Sequence, residues 1–322
     1  MAVCRIAFVG CVKEGKECLQ EILDAGGEVV AIFTFTDEIA AKTSGAVSFV
    51  DISKKYNTPL YKIKNTNTPE TAQLIKEINP DVIFVIGWTR LVNAEILAIP
   101  KYGCIGMHAS LLPKYRGRAP VNWALINNEK ITGNTMILLD DGVDTGDILL
   151  QRSISITLAD TCGTLYDKVA KAGREMIREI IPHLQKGDLP RKHQNHDEAT
   201  VMPKRTPEDG LIDWNKSALE IFNWIRALTH PYPGAFTYYQ NKKLFIWDAQ
   251  IAHFPTQECN GELLKNAAPG PGTVISMSDG IAVSTGGNEI LSLRYLNFED
   301  SDKVIWKDFL SANELTVGDI LS

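Results

Sequence analysis

The sequence predicts an α/β protein, a doubly wound and mostly parallel sheet followed by a small β-barrel module. Three observations carry this prediction. Short apolar, β-branched runs alternate with helically spaced stretches through the first half of the chain. Around residues 184–207 the sequence turns polar and aperiodic, as a surface crossover to another module does. After it come short strands broken by frequent turns, the pattern of a small barrel.

The elements follow in order. Residues 5–9, 29–35 and 82–86 are bounded by Gly, Asp or Pro and read as buried parallel strands. Between them, 16–25 and 69–78 carry helical spacing, and Asn79-Pro80 ends the second because proline cannot continue a helix. Val9-Gly10-Cys11 turns from the first strand toward a helix. No G-x-G-x-x-G follows, so this is not a dinucleotide fingerprint. Gly10 reads as a tight turn at the strand's carboxyl end and a candidate to line a substrate crevice. Residues 103–107 and 135–139 add two further strands. In the second module, 217–228 forms an amphipathic helix stopped by His230-Pro231-Tyr232-Pro233-Gly234. Strands are expected at 235–239, 243–249, 272–276, 280–284 and 289–295, giving domains at 1–186 and 207–322 joined by a linker at 187–206.

A chain of 322 residues accommodates two domains with cores. Its net charge of −6 gives no global attraction to nucleic acid, although a local basic patch survives an acidic average. The six cysteines (Cys4, Cys11, Cys18, Cys104, Cys162, Cys259) show no paired ligand spacing, so buried free thiols are expected and no metal. The amino-terminal segment reads as a strand without a signal peptide, and no stretch has the roughly 20 apolar residues of a membrane span. These features predict a cytoplasmic, reducing setting and no membrane partner. A symmetric homodimer stays open.

The chemistry concentrates in two segments, Gly-Met-His-Ala-Ser-Leu-Leu-Pro-Lys-Tyr-Arg-Gly at 106–117 and Gly-Val-Asp-Thr-Gly-Asp at 142–147. His108 follows a strand, and open α/β sheets place ligands at the carboxyl ends of their strands. Pro113 then holds an extended loop. Asp144 lies in a glycine- and acid-rich loop after strand 135–139. Taken alone, Asp140 and Asp141 read as a solvated turn. A carboxylate beside an imidazole raises its basicity and fixes its orientation, which suits proton removal from an attacking amine. Arg116 and Arg118 either clamp a phosphate or carboxylate or pair with the acidic 140–147 loop.

The run HASLLPKYRGRAPVNWALINNEKITGNTMILLDDGVDTGDI resembles the signature of the folate-dependent formyltransferases. That family includes methionyl-tRNA, glycinamide ribonucleotide and sugar N-formyltransferases. TPEDGLIDWNKSALEIFNWIRALTHPYPGAFTY resembles the start of the family's carboxy-terminal module, so the likeness covers most of the chain. The resemblance implies a Rossmann-like first domain, an OB-like second domain, and 10-formyltetrahydrofolate as donor. It further implies that His108 and Asp144 are two members of an Asn, His, Asp catalytic trio. Ser110, Leu111, Leu112 and Pro113 match the folate-contacting loop. Trp88, Arg90, Leu91 and Val92, with Asp140, Asp141 and Val143, match stretches whose main chain grips the pterin. In a sugar enzyme Arg116 or Arg118 approaches the pyrophosphate, with Gly10 and Gly117 expected beside the substrate.

The chain departs from the family at Gly106, where asparagine is usual. That asparagine donates to the oxygen that becomes negative as the amine adds, and loss of one such donor costs on the order of a hundredfold in rate. Three readings stay open: a formyltransferase with a rearranged oxyanion site, a transferase with a different donor or acyl group, and a folate-binding relative with little turnover. For the acceptor, the segment after the second strand (residues 36–45) is short and nearly neutral. A nucleotide-linked amino sugar is therefore the expected partner, with methionyl-tRNA the alternative.

Overall fold

The computed structural model describes residues 4–252 and 269–322. In chain order, the first elements are β1 (Arg5–Val9), α1 (Lys13–Asp24), β2 (Glu28–Phe35), α2 (Asp37–Ala40), α3 (Val50–Tyr56) and β3 (Leu60–Ile63). Next come α4 (Pro69–Ile78), β4 (Val82–Val85), α5 (Ala94–Leu97), β5 (Cys104–His108), β6 (Arg116–Gly117), α6 (Pro120–Ile126) and β7 (Ile131–Leu138). β8 (Ile148–Ser155), α7 (Cys162–Lys186) and β9 (Val201–Met202) follow. The described residues fall into two compact units. The first holds the chain through Val121 with Lys130–Thr157 and Thr164–Lys204, and the second holds Asn122–Glu129, Leu158–Gly163 and Arg205–Ser322.

The first unit is built on a seven-stranded sheet of order β3-β2-β1-β4-β5-β7-β8. β1 to β5 pair in parallel, and β7 joins β5 antiparallel, as β8 joins β7. Strand alternation divides the core between two faces. Ile6, Phe8, Ile32, Phe84 and Ile105 pack with Leu19 and Ile22 of α1 and Ile177 and Ile180 of α7. Ala7, Val9, Ala31, Phe33, Ile83, Val85 and Cys104 pack on the other side with Ala72 and Ile75 of α4 and Ile96 of α5. Thr68 caps α4, accepting from Thr71 N, and Pro69 opens it where a missing N–H costs nothing. α1 starts at Lys13, one turn before the expected 16. The sequence reading names no element at α7, the 25-residue helix that covers one sheet face. Glu21 of α1 pairs with Arg174 and Arg178 of α7, whose guanidinium groups hold its carboxyl below the usual range.

Glu14, near the start of α1, accepts from Nδ2 of the fully buried Asn134 on β7 at 2.9 Å, while Asn134 Oδ1 has no partner. Desolvation pushes the Glu14 carboxyl up. A carboxyl raised in the folded state contributes stability at low pH that is lost as pH rises through its folded value. Glu14→Gln, which can donate to Asn134 Oδ1, is therefore expected to stabilise the protein at pH 8 by about 1 kcal/mol in urea unfolding. The gain should shrink toward pH 4; a loss at pH 8 would refute this account of the pair.

The second unit is an antiparallel sheet with helices packed against it. α8 (Ala218–Leu228) begins in a capping box, Glu220 N donating to Ser217 Oγ while Ser217 N donates to Glu220 Oε2. The strands are β10 (Ala235–Tyr239), β11 (Lys242–Ile251), β12 (Val274–Ser276), β13 (Ile281–Ser284), β14 (Ile290–Phe298) and β15 (Val304–Ile305), followed by α9 (Trp306–Ala312). Their order is β10-β11-β14-β13-β12, with β15 on β14. Ile221, Ile225 and Leu228 of α8 enter a core with Leu244, Ile246, Leu291 and Leu293.

Cys4, Cys11, Cys18, Cys104 and Cys162 are free and buried, and burial pushes the thiols of Cys11, Cys104 and Cys162 up to about 12, which suppresses their thiolates. Cys259 lies outside the described residues. Among the described residues no helix is long and apolar enough to cross a membrane.

Candidate active site

His108 is the last residue of β5, where the chain leaves the sheet. Because β7 runs antiparallel to β5 (Ile105 faces Leu138, His108 faces Thr135), β7 ends beside the start of β5. The loop after β7 must therefore travel back along β5, and it brings Asp144 to His108. Asp144 Oδ2 lies 3.5 Å from His108 Nδ1 and accepts from Gly117 N at 2.8 Å. His108 Nε2 meets the Tyr115 carbonyl at 2.6 Å. A carbonyl only accepts, so Nε2 is the donor of that bond and Nδ1 is the nitrogen turned to the carboxylate. The ring is 8% exposed, which shelters the pair from bulk water.

The 109–115 loop is fixed from below. Thr135 Oγ1 donates to Ser110 O at 2.6 Å and accepts from Leu112 N at 3.2 Å. Gln151 Nε2 donates to Leu112 O, and Ser110 Oγ to Lys114 O. The Leu112-Pro113 bond is cis. Tyr115 and Asp144 both adopt left-handed backbone, φ 60° and 55°, which non-glycine residues reach only when their surroundings hold them there.

The expected donor-contacting residues lie on neighbouring loops of the same unit. Trp88 packs on Phe35 with ring centroids 4.0 Å apart and the planes tilted by 32°, and its Nε1 is buried without a partner. Arg90 lies over Phe35 and donates to Lys64 O, and Arg118 reaches back to Thr89 O. Leu91 and Val143 are exposed apolar side chains, at 62% and 46%. Val92, Trp88 and Leu139 pack against one core cluster, which ties the 88–92 and 139–143 stretches together. Asp140 Oδ1 accepts from Gly142 N and Thr145 Oγ1, closing the turn, while Asp141 is exposed.

Two expectations for substrate contact are corrected. Gly10 does not line an open crevice: it is buried, and a Cβ there would meet Ile86 O at 2.6 Å. Its role is to let β1 and β4 close up. Arg116 presents no clamp to solvent. It is 6% exposed, and its Nε and Nη2 donate to Gln194 Oε1 at 3.2 and 2.7 Å, with Nη2 also 3.1 Å from His196 Nδ1. Gly117 contributes through its backbone, holding Asp144.

Gln194 is the functional residue that sequence reasoning missed. It lies in the polar stretch expected at the surface, yet is 6% exposed, because its Nε2 donates to Asp144 O and Gly146 O at 2.8 and 2.7 Å. Aperiodic polar sequence carries no signal that separates a buried amide from a solvated one.

Gly106 shares a face of β5 with His108. A Cβ at 106 would meet Leu139 Cδ2 at 2.7 Å, so Leu139 occupies the room a longer residue needs. Gly106→Asn alone is expected to destabilise by about 1–3 kcal/mol, the usual cost of overpacking. With Leu139→Ala to make room, Gly106→Asn should raise kcat by about 10-fold or more by restoring an oxyanion donor. Urea unfolding and formyl-transfer rates check this; no gain in the double variant would mean that the oxyanion is already fully supported.

A formyl transferase domain profile matches residues 4–181, and a formyl transferase C-terminal domain profile matches residues 204–314. The chain belongs to the formyltransferase family. A methionyl-tRNA formyltransferase of Caldanaerobacter subterraneus subsp. tengcongensis is 38% identical over 322 residues, spanning 98% of this chain and 99% of the relative. One from Clostridioides difficile is 34% identical over 98% of this chain and 99% of its own length. Among solved structures, the N-formyltransferase of Helicobacter canadensis, in complex with folinic acid and dTDP-3-aminofucose, superposes with TM-score 0.66 at 19% identity. It covers 90% of this chain and 98% of that one. At that identity the formyltransferase of known structure shares the fold. The acceptor expected from the sequence, an amino sugar, is named for this distant neighbour, whereas these two relatives, which match over nearly the whole chain, are named for methionyl-tRNA.

Proposed function

We propose that this formyltransferase moves a formyl group from 10-formyltetrahydrofolate to the amino group of methionyl-tRNA. The observation that carries the chemistry is the His108–Asp144 pair at the end of β5, with Nε2 committed to Tyr115 O and Nδ1 facing the carboxylate. The residues present fit the donor. A pterin needs apolar faces and main-chain hydrogen bonds at its edge; Leu91, Val92 and Val143 supply the former, and the 140–143 loop the latter. Trp88 Nε1, buried without a partner, is a donor group awaiting an acceptor.

The donor supplies an activated formyl carbon on a nitrogen leaving group. Asp144, its carboxylate held by Gly117 N–H, would accept the proton that the attacking ammonium must lose and would return one to the donor nitrogen as its bond to the formyl carbon breaks. At 3.5 Å His108 Nδ1 makes no short bond with Asp144, so in its protonated form the ring can support negative charge on the formyl oxygen in place of the missing side chain at 106.

The acceptor assignment rests on relatives that span nearly the whole chain. A second reading, a nucleotide-linked amino sugar, is favoured by one feature. Residues 36–45 carry a single basic residue, Lys42, and Asp37 there is paired with Lys62 at 2.6 Å, which leaves little to attract a phosphate backbone. Incubation with 10-formyltetrahydrofolate and either methionyl-tRNA or a panel of nucleotide amino sugars separates the two. Formylmethionyl-tRNA is the expected product; formylated sugar with unreacted tRNA would replace the first reading by the second.

A further inference from the structure

We infer that residues 192–202, which fall between the segments matched by the two family profiles, form a strap that positions the catalytic pair, with Gln194 as its positioning residue. The strap is stitched along its length to the two loops that carry the pair. At one end Lys192 and Ile148 exchange backbone hydrogen bonds of 2.9 and 2.8 Å, and His193 Nδ1 meets Asp147 Oδ1 at 2.6 Å. At the other end Val201 and Met202 of β9 pair in parallel with Arg116 and Gly117 of β6. Between them, Thr200 Oγ1 accepts from Tyr115 N at 2.8 Å and Thr200 O accepts from Arg116 N at 2.8 Å.

Tyr115 and Asp144, both in left-handed backbone, are fastened by this strap. Tyr115, whose carbonyl orients His108, is held by Thr200. Asp144 is held through its carbonyl by Gln194 Nε2. Gln194 Oε1 meanwhile takes both donors of Arg116, so one buried amide joins the Asp144 loop to the loop that begins at His108. A carboxamide suits this position because it donates on one side and accepts on the other. Neither a carboxylate nor an aliphatic chain does both. The 3.5 Å gap between His108 and Asp144 is set by groups on two separate loops, and displacement of reacting groups by about 1 Å can cost about 100-fold in rate.

Gln194→Glu is the decisive variant, since Glu keeps the acceptor for Arg116 but loses the donor for the Asp144 and Gly146 carbonyls. This inference rests on the proposed formyl transfer for its kinetic arm, and amide hydrogen exchange in the full-length protein supplies an arm that does not. Expected are faster exchange within 140–147, a kcat lowered about 100-fold, and a KM for the formyl donor within about threefold of wild type. A double variant, Gln194→Met with Arg116→Met, removes both partners so that no buried charge is orphaned, and should show the same kinetic loss with a lowered melting temperature, since the Asp144 and Gly146 carbonyls lose their donor. Unchanged exchange in 140–147 in Gln194→Glu overturns the strap. Faster exchange with kcat retained overturns Gln194 as a positioning residue. Absence of transfer by the wild-type protein would count against the proposed reaction and leave the exchange result to decide the strap.

Discussion

Asp144→Asn is expected to lower kcat about 1,000-fold while leaving the fold and donor binding in place. The side chains are isosteric, and the asparagine oxygen still accepts from Gly117 N–H, which in the native protein reaches Asp144 Oδ2 at 2.8 Å. What disappears is the carboxylate assigned to take a proton from the attacking ammonium, and with it the charge facing His108 Nδ1 at 3.5 Å. Initial rates of formyl transfer, with titration of a stable 10-formyltetrahydrofolate analogue, check both halves. A variant that retains even a tenth of the activity would remove Asp144 from the proton-accepting role.

His108→Asn should cost about 100- to 1,000-fold in kcat, the range found when an oxyanion donor is removed. It should also cost about 1–3 kcal/mol of stability, because the shorter side chain no longer reaches the Tyr115 carbonyl, now met by Nε2 at 2.6 Å. Residues that act as one unit lose activity once. The double variant with Asp144→Asn is therefore expected to be little slower than Asp144→Asn alone. Fully multiplicative losses would mean that the two side chains serve separate steps.

Much of the fold was legible because its strands alternate or are wholly apolar. Arg5–Val9 and Val82–Val85 could be nothing but buried strands, and His108 could be placed at a strand end from its neighbours. The direction of β7 was not legible, since residue alternation is the same for parallel and antiparallel pairing. Yet that direction is what sends the 139–147 loop back along β5 to His108. Arg116 misled for a related reason. Beside a histidine loop a guanidinium reads equally as a clamp for an anion or as a partner of the acidic 140–147 loop, and only the structure shows that its partner is Gln194. Gln194 itself could not be found from pattern at all, because the hydrogen bonds that bury it come from residues about fifty positions away.

The seam between β1 and β4, where the strand order of such sheets reverses, is normally the doorway through which a ligand enters. Here it is bricked up. Gly10, Gly15 and Gly87 bring the backbones into direct touch: a methyl on Gly10 or Gly15 would strike Ile86 O at 2.6 or 2.3 Å, and Cys11 N already donates to Gly87 O. The open ground lies one strand further along, past β4, where His108 ends β5.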